Sequence, residues 1–275
     1  MIPALWKPIA ARAAAIAQQI PLAGWAGYWR FWQRYHGYAV EGMHHLVDAE
    51  RAMLIAGYHG RPLAFDMCML TVALYDRLGY MPHGIVHRGL EKSAYFRWSN
   101  AAVGFLTGDG DAMRAAIARG EHIVVTPGGG SEGCRHFTQR YRVNWPSTGY
   151  LRLARKYRLP IVPVAAAGAD DTYIGLNDPE MVARLLGVPR EWAWALWVGV
   201  GPLGLYPYSP PFPVRLRQIV GPPIDPWTDA ACRNDDDALP AIHAAVVEAV
   251  QDLLDQARGI GPWKNGRRTA THAGR

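Results

Sequence analysis

The chain has 275 residues, half of them apolar and 19 % charged, with a formal net charge of +6. That balance supports one large domain with a sizeable core and excludes a disordered chain. The positive charge fits an anionic membrane surface, an anionic substrate or nucleic acid, and selects none of them alone.

In chain order, residues 3–35 read as one or two helices broken near Pro21. The second half carries Trp25, Tyr28, Trp29, Phe31, Trp32 and Tyr35, with Arg30 and Arg34 among them. Aromatic rings mixed with cations suit a membrane–water interface, and the same rings also suit ordinary core packing. From residue 40 the pattern alternates. Ala52–Tyr58 is a short apolar strand, and Asp66–Leu78 has helical spacing through Met67, Leu70, Leu74 and Leu78. Gly84–His87 is a strand candidate. Asp111 is expected to cap the helix Ala112–Arg119, which stops at Gly120. His122–Thr126 reads as a strand, and Ser147 or Thr148 opens a helix through Lys156. Leu159–Ala166 is another strand, Arg215–Val220 an edge strand with alternating charge, and Asp237–Ala257 an amphipathic helix. Alternation of this kind predicts an α/β domain whose central, mostly parallel mixed sheet is flanked by helices. The expected organisation is an aromatic N-terminal helical segment (1–38), the α/β domain (39–258) and a basic flexible tail (259–275).

Three cysteines, Cys68, Cys134 and Cys232, are odd in number and show no CxxC spacing. A disulfide framework or zinc ribbon is therefore not expected, and a reducing compartment fits. Lys7 and Arg12 interrupt any signal-peptide pattern. Trp192–Val214 has no charge but contains Pro202, Pro207, Pro210, Pro211 and Pro213, which a spanning helix would not carry together. His44, His45, His83 and His87 have no acid or cysteine cluster beside them, so no metal is expected.

Chemistry in such sheets sits on loops beyond the carboxyl ends of strands. Two loops qualify. In GYHGRPLAFD (Gly57–Asp66), His59 leaves a strand and Asp66 opens a helix. A strand-end His can act as a general base with a carboxylate holding its tautomer, and the pair can equally be a structural His and a helix cap. In TPGGGSEGCR (Thr126–Arg135), Gly129–Gly133 matches GxSxG. For a nucleophile elbow the strand should run straight into the motif and a His should follow as base. Pro127 and Gly128 intervene, and His136, His243 and His272 are poorly placed. A substrate loop fits better: Gly128, Gly129 and Gly130 would let backbone N–H groups approach an anion or oxyanion.

These segments, taken in order, resemble the glycerolipid acyltransferase superfamily, closest to the branch of mono- and diacylglycerol acyltransferases and its bacterial relatives. VEGMHHL (Val40–Leu46) is similar to the strand leading into the fold. GYHGRPLAFD resembles the His/Asp block, GEHIVVTPGGGSEGCR (Gly120–Arg135) the proline-glycine-glycine block with its trailing Glu, and GYLRLARKYRLPIVPVAAAGADDTY (Gly149–Tyr173) the helix and strand that follow. GPLGLYPY and VGPPID are similar to the close of the bacterial relatives. Six residues separate His59 from Asp66, a spacing associated with the acylglycerol branch. Gly128 stands after Pro127 where the phosphate-acceptor branch carries Glu.

The resemblance implies a membrane-associated O-acyltransferase, peripheral or monotopic on the cytoplasmic face. It would move a fatty acyl group from acyl-CoA, or acyl carrier protein, to a hydroxyl of a lipid acceptor. His59 would be the general base, oriented by Asp66. Gly128–Gly130 would form the oxyanion hole, and Glu132 and Arg135 would position substrate. Acyl-CoA is a co-substrate, no cofactor is implied, and no nucleic-acid partner is expected. The alternatives are a serine hydrolase or thioesterase using Ser131, and a non-catalytic lipid-binding protein.

Overall fold

A computed structural model describes residues 20–62, 64–86, 94–108, 110–229, 232, 235–260, 263–264 and 267–268. The opening helix expected over 3–19 and most of the basic tail lie outside them. The central sheet has six strands. These are β1 (Ala39–Glu41), β2 (Leu54–Gly57), β3 (His83–Gly84), β4 (Ile123–Val125), β5 (Ile161–Ala167) and β9 (Arg217–Val220), in the order β1-β9-β5-β2-β4-β3. All pairings are parallel except β5 with β9. A separate three-stranded sheet joins β6 (Ile174–Gly175), β7 (Gly199–Gly201) and β8 (Gly204–Leu205).

The strands form because short, near-continuous apolar runs can bury both faces. Along β2, Leu54 and Ala56 meet one core, while Ile55 meets the other. On the first face lie α5 (Asp111–Ala118), α7 (Gly149–Tyr157) and α9 (Leu239–Ala257), contributing Met113, Leu151, Val246 and Val250. On the other lies α3 (Phe65–Leu78), contributing Leu70 and Leu74. Pro163 sits inside β5 although a central strand normally excludes proline. Its carbonyl still accepts the Gly221 N–H at 2.9 Å, just past the Val164–Val220 pair where the regular β9 ladder ends, so the strand loses only the donor that proline lacks.

Several expectations shift. The described part of α1 covers residues 20–35 with Pro21 in its first turn, a position where proline is tolerated. Arg215–Val220 is not an edge: β1 covers β9, and Glu41 of β1 accepts two hydrogen bonds from Arg217 at 2.8 and 3.2 Å. The alternating charge that suggested solvent is answered by a neighbouring strand. Asp111 is the first residue of α5 and Gly110 precedes it as cap. Before α7, the Ser147 hydroxyl accepts from the Gly149 N–H at 3.1 Å. The aromatic stripe of α1 divides. Ala26 and Trp29 are buried in one cluster with Phe65 and Met69 of α3, while Tyr28, Phe31 and Tyr35 remain exposed. The core reading holds for one face of the helix, and the opposite face keeps its rings exposed. Among the described residues no helix is long and apolar enough to cross a membrane.

Candidate active site

Adjacent parallel strands β2 and β4 run in register, Ala56 opposite Val125. Their carboxyl-end loops therefore leave the sheet side by side, which brings His59 and the glycine turn together. The turn is not an open loop. Gly129–Gly133 forms a short helix, α6. Its glycines serve internal packing more than ligand approach. A side chain at Gly128 would occupy the space of the Glu132 carboxylate. One at Gly133 would collide with the His59 ring and the Arg61 carbonyl, and one at Gly130 would press on Trp194. Gly129 alone has open space, and its φ of +51° is the left-handed region that glycine favours.

Glu132 ties the two loops together. Its buried carboxylate accepts the His59 backbone N–H at 2.8 Å, the Asn144 N–H at 2.7 Å and the Trp145 indole N–H at 3.1 Å. Burial pushes its pKa up to about 8, against the three donors that favour the anion. The sequence reading placed Glu132 and Arg135 on substrate. The structure instead engages both side chains with protein partners.

His59 is half-buried, with Nδ1 enclosed and without a hydrogen-bond partner. Burial depresses its pKa to about 4, opposed by nearby backbone carbonyls and by the Asp170 charge. Asp66 lies in the first turn of α3, fully buried, with neither carboxylate oxygen hydrogen-bonded. Burial raises its pKa well above the usual range, although the amides of Met67, Asp66 and Gly60 favour the anion. No hydrogen bond joins His59 to Asp66 among the described residues. The backbone between them is strained: Arg61 and Ala64 hold left-handed φ angles of 49° and 46°, a conformation costly for non-glycine residues and concentrated at functional sites.

Beneath these loops lies a buried ionic network. Arg61 donates from Nε to the Asp170 carbonyl and from Nη1 to the Arg135 carbonyl, both at 2.8 Å. The Asp170 carboxylate accepts from the Tyr58 hydroxyl and, at 2.6 Å, from the Tyr141 N–H. Arg135 donates to the Tyr58 hydroxyl and the Arg142 carbonyl, and its guanidinium lies 5.2 Å from the centre of the Tyr58 ring. Burial lowers the pKa of both arginines, and Asp170 opposes that shift. Tyr58, Arg61 and Asp170 had not been singled out from sequence. The available signal was a charged residue just past each end of the buried strands β2 and β5.

Ser131 donates from Oγ to the Glu180 carboxylate at 2.6 Å, and Arg190 donates to that same oxygen at 3.0 Å. No histidine among the described residues is hydrogen-bonded to Ser131. A cleft of about 280 Å³ opens beside the glycine turn, lined in part by Val125, Thr126, Pro127, Gly149 and Tyr150. Among the described residues no three His, Cys, Asp or Glu side chains converge as metal ligands do.

No family model matches the chain. An uncharacterized protein of Mycobacterium tuberculosis is 29 % identical over 243 residues, covering 83 % of this chain and 62 % of its own length. The "DGAT1/2-independent enzyme synthesizing storage lipids" of Homo sapiens is 24 % identical over 242 residues, covering 86 % of this chain and 65 % of its own length. The chain thus spans less than two thirds of the length of these curated relatives. Among solved structures, the 1-acyl-sn-glycerophosphate acyltransferase PlsC of Thermotoga maritima superposes with a TM-score of 0.54 at 16 % identity, covering 95 % of this chain and 88 % of that one. The chain has the fold of that acyltransferase, as the motif resemblance implied.

Glu132→Ala would strand buried N–H donors on His59, Asn144 and Trp145. The expected cost is at least about 1–3 kcal/mol, read as a lower midpoint in urea unfolding. An unchanged midpoint would show that the carboxylate does not brace the two loops.

Proposed function

We propose that the protein is a membrane-associated lipid O-acyltransferase, which moves a fatty acyl group from an acyl thioester, acyl-CoA in the first instance, to the hydroxyl of a glycerolipid or related acceptor. The observation that carries this reading is the bond from the His59 backbone N–H to Glu132. It locks the His/Asp block to the proline-glycine-glycine block at the mouth of an acyltransferase fold. The relative named for storage-lipid synthesis points in the same direction and favours an acylglycerol-type acceptor.

In this reading the His59 imidazole takes the proton of the acceptor hydroxyl as its oxygen attacks the thioester carbonyl. The tetrahedral oxyanion is met by backbone N–H groups of the glycine turn. The Gly129 N–H is already given to the Thr126 carbonyl at 2.9 Å, so Gly128 and Gly130 are the candidate donors. Collapse breaks the carbon–sulfur bond, and the departing thiolate recovers the proton from His59. Ester and thiol are the products, and no cofactor or enzyme-bound acyl group is needed. The donor's thioester arm enters by the cleft beside Pro127. Asp66 is assigned the orienting role at His59; catalytic contacts of this kind often tighten only when substrate occupies the site. The Asp170 charge also favours imidazolium. Glu132 is a positioning residue that acts through the His59 backbone.

The reading predicts that acceptor-dependent thiol release from acyl-CoA falls about 10²–10⁴-fold in His59→Ala. It should stay near wild type in Ser131→Ala. Loss in Ser131→Ala with His59→Ala unaffected would instead establish a serine hydrolase. The pH profile follows from the sign of the His59 shift. The base must be neutral, and its pKa lies near 4. Activity should therefore hold from neutral pH down to about pH 5 and fall only as pH passes through about 4. An acid limb centred near the ordinary histidine value of about 6.5 would assign the base elsewhere.

Membrane association rests on exposed apolar side chains. Tyr28 and Phe31 of α1 are exposed, as are Leu185 and Leu186 at the end of α8 (Pro179–Leu186), Trp192, Trp194, Leu203 and Tyr208. Single exposed apolar residues are unremarkable, but this density of Trp, Tyr and Leu suits a lipid interface. Basic residues near the surface add on the order of 1 kcal/mol each toward anionic lipid. Because Leu185 is 79 % and Leu186 65 % exposed, the pair Leu185→Glu and Leu186→Glu should leave the thermal melt unchanged. It should also weaken flotation with phosphatidylglycerol liposomes. Undiminished flotation would remove α8 from the docking surface.

A further inference from the structure

One cleft lies apart from the proposed reaction. It measures about 230 Å³ and is walled by Tyr28, Trp32, Phe65, Tyr173, Tyr206 and Tyr208, completed by three prolines and a serine. No charged side chain lines it, and the aliphatic part of its wall is the three proline rings. The rings face several directions. Tyr173 and Tyr206 stand 5.3 Å apart at 81°, Tyr28 and Trp32 6.0 Å apart at 75°, and Phe65 lies nearly parallel to Trp32 at 17°. Six aromatic rings thus surround one small volume, and the negative end of an aromatic quadrupole is the ring face.

We infer that this cleft is an aromatic cage for a quaternary trimethylammonium group carried on a lipid headgroup. A cation without N–H groups is held over aromatic faces by the ring quadrupole and asks for no hydrogen-bond acceptor. A primary ammonium brings three donors that need acceptors. The carbonyls at the rim are already engaged: Ser209 accepts from the Tyr173 hydroxyl at 2.8 Å and Pro211 from the Tyr35 hydroxyl at 2.9 Å. With no carboxylate in its wall to pair with a primary ammonium, the cleft favours the methylated cation. No Leu, Ile, Val or Met side chain stands in its wall, which argues against an acyl-chain groove. The lipid source follows from the rim. Tyr28 and Tyr208 both line the cleft and are exposed, at 47 % and 94 %, and Leu205, next to Tyr206 in the chain, is also exposed. A headgroup can reach the cage while its chains stay with that apolar surface.

The inference is tested by binding without turnover, so it stands or falls separately from the acyl-transfer reading. Tryptophan fluorescence, with Trp32 in the wall, is followed during titration with phosphocholine and with phosphoethanolamine. Flotation is compared for phosphatidylcholine/phosphatidylglycerol and phosphatidylethanolamine/phosphatidylglycerol vesicles at one ratio. The choline forms should bind at least about five-fold more tightly in both assays, as one cation–π site allows. Tetramethylammonium should compete. Tyr28→Leu and Tyr208→Leu, both at exposed positions, should remove the preference and keep the wild-type melting curve. Equal binding of the two headgroups, or a preference that survives both substitutions, would overturn the cage. So would displacement by decanol but not by tetramethylammonium, the mark of an acyl-chain groove. A preference confined to free phosphocholine would overturn the lipid source.

Discussion

The Glu132 carboxylate is the contact on which the upper face of the sheet depends. Three N–H groups from two separate loops end on its two oxygens, in a place closed to water. Buried donors of this kind are costly to leave unmet, so the residues bearing them are fixed relative to one another. One of those residues is His59, the group proposed to carry the proton. The same contact explains Gly128 and Gly133. The first leaves room for the carboxylate itself, and the second leaves room for the imidazole that the carboxylate positions. Three residues at one short helical turn thus set the place of a side chain from the loop after β2.

The layer beneath is electrostatically unusual. Two guanidinium groups, Arg61 and Arg135, share one carboxylate, Asp170, with little exposure to solvent. Buried charges persist only where other contacts compensate for lost hydration. Here backbone carbonyls take the guanidinium N–H groups, and the faces of Trp197 and Tyr58 lie against the two cations at 5.6 and 5.2 Å. This network underlies the strand-end loops that carry His59 and the glycine turn.

Much of this architecture was readable in the chain. The apolar runs at residues 54–57, 123–125 and 161–167 became strands because burial on both faces leaves no other use for them. The α/β alternation then placed His59 and the glycine turn at the same edge. What escaped was long-range pairing. Nothing local in Arg217 and Gln218 announces a covering strand from residues 39–41, because the partner is far away in sequence. The glycine run suggested room for a ligand. Its space is largely filled by Glu132, only four residues on, and by Trp194, a contact that no local pattern reveals. Two strands of the small sheet, β7 and β8, lie in the charge-free, proline-containing stretch Trp192–Val214, and their partner β6 comes from residues 174–175 before it.

The divided face of α1 has a practical consequence for anyone preparing the protein. Trp29 and Ala26 are as much a part of the core as Phe65 and Met69. Truncation before residue 39 would uncover that cluster and leave an aggregation-prone apolar surface. A version easier to handle in aqueous buffer is better sought by exchanging outward-facing rings such as Phe31 for polar residues, with the helix left in place.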